Sequence, residues 1–155
     1  MKVKKVTTYM DDNSFPYLVA EETPYKVDGR AKHDDDEKIY ELTKEMHMTD
    51  RVAESVVLFI FDIQFHLLAI SEMSTGSVDR SIIPTREIAQ TILLSNGSQC
   101  IIAHNHPSGD TTPSDIDVAI TKKLKDALAL LNIQLCDHLV VGRYGYTSMA
   151  AQGLM

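Results

Sequence analysis

Cysteine is scarce in this chain of 155 residues, standing only at positions 100 and 136. Two cysteines make no disulfide framework, so nothing points to an oxidising, extracellular setting. Both sit inside apolar stretches, QCIIA and IQLCDHLVV, and read as small buried hydrophobes. Long apolar runs are missing too. No window approaches the roughly 18 apolar residues that a membrane-crossing helix requires. The N-terminal MKVKKVTTYMDD carries basic residues but lacks the apolar segment of a secretory signal. Positive charge is outnumbered, with Lys+Arg at 15 against Asp+Glu at 22 and a formal net charge of −7. Nonspecific affinity for nucleic acid comes mainly from Lys and Arg neutralising phosphates, which argues against a general phosphate-binding surface and leaves room only for a local basic strip. Internal repeats and low-complexity tracts are absent. What remains, 44% hydrophobic and 24% charged residues, is the composition of one soluble globular domain, long enough for a real core and cytoplasmic by default.

Residues 1–36 differ from the rest. They hold Asn13, Pro16, Pro24, Gly29, a strand-like YLVA (17–20) and the acid run Asp34-Asp35-Asp36-Glu37. They read as an arm or small hairpin ahead of a domain over 37–155, and the acid run as helix-initiating charge. From 36 to about 47, Ile39, Leu42 and Met46 recur at helical spacing. VVLFIF (56–61) is a buried strand by its β-branched and aromatic content. A turn at Asp62-Ile63-Gln64 and a second strand, LLAISEM (67–73), complete a hairpin, after which Gly76 interrupts the chain. Pro84 is expected in the first turn of a helix with Ile88, Ile92 and Leu93 on its apolar side, ended by Asn96-Gly97. Gln99–Ala103 predicts a short central strand. Ile116, Ile120, Leu124, Ala127, Leu128 and Leu131 mark one face of a long helix stopped at Asn132. Leu135–Val141, a turn at Gly142–Gly145 and Tyr146–Met149 finish the chain as strand, turn and strand. The mixture argues an α/β or α+β sandwich, a curved sheet with helices packed on it.

The chemistry concentrates in HNHPSGDTTPSDID, residues 104–117. If the strand runs on through His104 and His106, both imidazoles face one spot, since strand residues two apart point to the same side. Alternatively, one ring bonds a backbone carbonyl in a turn and the other is solvated. Ser114 and Asp117 form a Ser-x-x-Asp step close to the capping box, approached through Pro113. Asp117 could instead aim its carboxylate back at the two imidazoles, making a His-His-Asp set of the catalytic zinc type, with three protein ligands and one open position. Neutral imidazole and carboxylate oxygen suit zinc.

The pattern H-x-H-x7-S-x-x-D over 104–117 matches the metal-binding motif of the JAMM (MPN+ or JAB) metalloprotease family. With AHNHPSGDTTPSDID, CDHLVVG (136–142), YTS (146–148), ESVVLFIFD (54–62) and PTREI (84–88), the chain resembles the RadC branch over about residues 38–155. The resemblance implies a single JAMM/MPN-type α/β domain, cytidine deaminase-like, with a mixed curved sheet. It implies that His104, His106 and Asp117 hold Zn²⁺ with water in the fourth position, and that Ser114 donates to the developing oxyanion. A glutamate takes the water's proton and delivers it to the leaving amine. Glu54, which opens the strand where the family places its acid, is the expected base, and Glu72 at the end of the next strand is its rival. His138, in the family's Asp-His pair, is expected to be structural, through a buried hydrogen bond. His33, His47 and His66 belong to no motif and read as surface or core-edge residues. Residues 1–36 are too short for the helix-hairpin-helix region of full-length RadC proteins, so the resemblance implies a short form.

The expected activity is therefore a zinc-dependent metallopeptidase or isopeptidase whose partner is a peptide or protein substrate; a homodimer is left open. Two other classes stand beside it: a non-catalytic MPN-fold binding module, and an accessory protein in DNA repair or mobile-element transfer, where the acidic charge argues against direct nucleic-acid contact. The letters HNH do not make an HNH nuclease, whose motif is dispersed over tens of residues. A zinc nucleobase deaminase needs H-x-E with a later P-C-x-x-C, and neither is present.

Overall fold

Why the VVLFIF run is apolar without alternation is answered by its place in the sheet. The computed structural model describes residues 2–73 and 83–155; the expectation at Gly76 lies outside them. The strand β3 (Val56–Phe61) is buried at every position. It lies between β4 (Leu67–Met73) and β5 (Gln99–Asn105), antiparallel to both. Helices cover both faces of this central strand, so neither can be polar. Val57, Phe59 and Phe61 pack on one side with Ile39 and Leu42 of α1 (Asp36–Glu45) and with Met46 at its C-terminal cap. Val56, Leu58 and Ile60 pack on the other with Ile88 and Ile92 of α2 (Thr85–Leu94) and Leu124 and Leu128 of α3 (Asp115–Ala129).

Among the described residues the sheet has seven strands in the order β2-β1-β4-β3-β5-β6-β7, which makes the fold mixed α/β and consistent with a JAB/MPN-type architecture. The first two, β1 (Lys4–Met10) and β2 (Pro16–Glu22), form an antiparallel hairpin joined to the sheet by a short parallel pairing of Lys4 and Lys5 with Ala69 and Ile70 of β4. The last two, β6 (Gln134–Gly142) and β7 (Gly145–Ser148), pair antiparallel. β5 and β6 are parallel and are linked through α3. This βαβ step sets the start of α3 against the carboxyl end of β5, where open α/β sheets place their sites.

Several expectations need correction. The β5 strand runs past Ala103 to Asn105, so His104 belongs to the strand. Pro84 precedes α2 and caps it, its carbonyl accepting from Ile88 N–H at 2.9 Å. The last strand ends at Ser148, not Met149. The buried face of α3 is Asp117, Thr121, Leu124 and Leu128, while Ile116 is 72% and Leu131 44% exposed. The apolar periodicity holds at Ile120, Leu124 and Leu128 but not at the helix start, where the inward positions are polar and face the cluster of His104, His106 and Asp117. Cys100 is buried, but Cys136 is only half-buried, with its thiol pushed by burial up to about 11. The acid run does start α1, Asp35 accepting the Glu37 N–H at 3.0 Å. No described helix is long and apolar enough to cross a membrane.

Candidate metal centre

The centre is assembled where β5 ends and α3 begins. His104 is the penultimate residue of β5, on the sheet face shared with Ile102 and Cys100, and His106 follows just after the strand. The chain then turns through Pro107-Ser108-Gly109. Gly109 takes φ +81°, a conformation that glycine adopts without steric cost, and its N–H bonds back to His106 O at 2.9 Å. The turn brings the Asp110 carbonyl to 2.7 Å from His106 Nδ1. Ser114 then caps α3: its Oγ accepts from Asp117 N–H at 3.1 Å, and Asp117 Oδ2 accepts from Ser114 N–H at 2.8 Å. The capping box is thus complete with Asp in place of the usual Glu or Gln.

Capping does not remove Asp117 from the cluster; its carboxylate serves both. Oδ1 lies 3.5 Å from His104 Nε2 and Oδ2 3.3 Å from His106 Nε2, while the two Nε2 atoms are 2.9 Å apart. Tetrahedral ligands about 2.05 Å from an ion stand about 3.3 Å from one another. The donor set fits a cation on independent grounds. A carbonyl cannot donate, so His106 Nδ1 must give its proton to Asp110 O, and the neutral ring presents a bare Nε2 to the cluster. A bare nitrogen, a second imidazole nitrogen and a carboxylate converge on one buried spot.

Glu54 stands just ahead of β3, next to Ser55. The β3–β5 ladder closes on Val56 and His104, and Asn105 N–H still reaches Ser55 O, the carbonyl of the residue after Glu54, at 3.4 Å. Glu54 is half-buried and, among the described residues, has no ion-pair partner. Asn105 holds the approach to it. Its buried Oδ1 accepts from Ser55 N–H and Oγ–H, both at 2.8 Å, and its Nδ2 donates to Ala53 O at 3.1 Å. Glu72 is elsewhere. It pairs with Val57 and so faces the α1 side of the sheet, where it binds Lys5 at 3.1 Å and Arg51 at 3.0 Å. Burial raises its carboxyl, but those two cations outweigh that and hold it low. His138 is fully buried with Nε2 2.6 Å from His104 Nδ1. Burial and the neighbouring His104 hold its pKa well below the ordinary imidazole range. Its neighbour Asp137 faces away and accepts the backbone N–H of His138 at 2.6 Å and of Ala150 at 2.9 Å. Of the other histidines, His47 is exposed, His66 is paired with Asp62 at 2.9 Å, and His33 is buried.

A family model described as a RadC-like JAB domain matches residues 33–154. The chain belongs to the RadC family. It is 38% identical over 133 residues to a UPF0758 protein of Thermotoga maritima, covering 86% of this chain and 56% of that protein. It is 42% identical over 100 residues to a UPF0758 protein of Vibrio cholerae, covering 64% of this chain and 63% of that one. A UPF0758 protein of Bordetella avium is 38% identical over 124 residues, 80% of this chain and 54% of the relative. The chain spans little more than half the length of these relatives.

Sequence reasoning missed four parts of this RadC-like centre: Asn105, the Asp110 carbonyl, Thr121 and Gly142. Thr121 had a signal, being a polar residue four after Asp117 and hence on the same helix face. Gly142 reads as a turn, but its hydrogen faces the ligand loop. A Cβ there would stand 2.8 Å from Gly109 O and 3.0 Å from Thr111 Cγ2. Gly142→Ala is therefore expected to push the 109–111 segment outward, loosen the Asp110 carbonyl from His106, and weaken metal binding about tenfold, in line with the loss of an outer-shell partner. Chelator competition on the variant checks it, with a melting curve to show that the sheet survives.

Proposed function

We propose that the chain is a zinc-dependent hydrolase of peptide or isopeptide bonds, with Glu54 as general base. The observation that carries the reading is the meeting of His104 Nε2, His106 Nε2 and Asp117 at one point, on two elements that burial holds in place. Two imidazoles and one carboxylate are a ligand set of catalytic zinc sites, and their mixture of nitrogen and oxygen favours zinc over the harder divalent ions. Bound there, zinc supplies Lewis-acid polarisation of an acyl carbonyl and eases removal of a proton from water. Glu54 takes that proton and passes it to the leaving nitrogen, a role suited to a half-buried carboxylate that has no ion-pair partner among the described residues. Ser114 Oγ already accepts from Asp117 N–H, which leaves its own O–H to donate toward an oxyanion. The complete ligand set favours this reading over a binding module that has lost turnover.

The first test is stoichiometry. Protein stripped of metal and dialysed against zinc is expected to retain about one ion per chain by elemental analysis. A chain that stays metal-free in excess zinc overturns the proposal. With zinc in place, a panel of peptide- and isopeptide-linked substrates reads the bond cleaved.

A further inference from the structure

One buried polar pair behind the centre is not used by the proposed chemistry: His138 on β6 and Thr121 on α3. His138 Nε2 is 2.6 Å from His104 Nδ1, and His138 Nδ1 is 2.6 Å from Thr121 Oγ1. Thr121 Oγ1 in turn lies 2.6 Å from the backbone carbonyl oxygen of Asp117. The direction of every bond in this row follows from its far end. A carbonyl oxygen only accepts, so the Thr121 hydroxyl donates to Asp117 O. That hydroxyl has a single proton, so toward His138 it accepts, and His138 Nδ1–H donates. With its proton on Nδ1 and no solvent to stabilise a charge, the His138 ring presents a lone pair at Nε2. His104 Nδ1–H donates to that lone pair, and His104 Nε2 is left bare toward His106 and Asp117.

We propose that Thr121 and His138 are positioning residues that hold His104 in its Nδ1–H tautomer, the form that can bind a metal through Nε2. The inference rests on the reading of His104, His106 and Asp117 as a metal centre. Its consequence is that Asp117 contributes twice, once by its carboxylate and once by a backbone carbonyl that sets the proton order of a ligand on another element. The two histidines are oriented differently. His106 leans on an exposed loop carbonyl, whereas His104 is held by a sealed row of side chains. Outer-shell partners of this kind orient the ring and raise its basicity.

His138→Leu is expected to weaken zinc binding by about 10- to 100-fold in chelator competition. His138→Gln, whose amide oxygen can accept from His104 Nδ1–H, is expected to recover most of that loss. Thr121→Val is expected to weaken binding in the same direction and Thr121→Ser to restore it; this pair carries the test if His138→Leu does not fold. In metal-free wild type, long-range ¹H–¹⁵N NMR is expected to show His138 protonated at Nδ1 and bare at Nε2. A proton on His138 Nε2 overturns the relay whatever the metal does. Wild-type zinc affinity in both His138→Leu and Thr121→Val also overturns it, even if their melting temperatures fall. A wild type that takes up no zinc overturns the metal centre instead, and the NMR result then decides the relay alone.

Discussion

His106→Ala is expected to weaken zinc binding by about 100-fold or more while the fold survives. Structural zinc sites bind with roughly 10–16 kcal/mol across four ligands, so one ligand is worth on the order of 3 kcal/mol, or about two decades of affinity. The side chain of His106 is 16% exposed, and its remaining contact is the Nδ1–H bond to Asp110 O. Losing that bond costs about 1 kcal/mol of stability. His104→Ala is the less clean variant, because it strands the buried Nε2 of His138 and adds a penalty of about 1–3 kcal/mol unrelated to the metal. Chelator competition and thermal melting on His106→Ala separate the two effects. Zinc affinity equal to the wild type would put the ion somewhere other than this cluster.

Glu54→Gln is expected to retain zinc and to lower turnover by about 10²- to 10⁴-fold, the range in which a general base contributes. The amide keeps the shape of the carboxylate and removes its basicity. Glu72→Gln is the control. It strands Lys5 and Arg51 on the opposite side of the sheet, so it is expected to cost about 1 kcal/mol of stability and leave turnover intact. The stabilising contribution of Glu72 is full above the ordinary glutamate range and fades as pH falls through its lowered pKa. Steady-state kinetics on zinc-loaded protein, with metal content measured alongside, distinguishes the two glutamates. Full activity in Glu54→Gln would remove it as the base.

Much of the core was legible in the sequence. The β3 and β4 strands fall where VVLFIF and LLAISEM place them, and in β3 the β-branched and aromatic residues without polar interruption suit a strand covered on both faces. The α3 helix was legible in extent and in its inward residues Ile120, Leu124 and Leu128, but not in its first turns. Ile116 and Leu131 fit an apolar stripe, yet the inward positions of the first turns belong to Asp117 and Thr121. Periodicity rewards apolar residues and cannot foresee that a helix start will turn polar groups inward to serve a centre. The parallel pairing of β1 with β4 was not legible either, since only the residues Lys4 and Lys5 carry it and their partners lie far along the chain.

By itself the sequence determined which side chains belong to the cluster: His104, His106, Ser114 and Asp117 at fixed spacing, with strand before and helix after. Residue type sets donor chemistry, and short spacing sets which groups share one turn. The tertiary structure decided everything that depends on neighbours distant in the chain. It set Glu72 on the far face beside Lys5 and Arg51, joined the start of β3, just after Glu54, to the end of β5, and set His138 against His104 across 34 residues. Those outcomes follow from strand register and from which face each residue turns inward, and no local pattern of residues encodes either one.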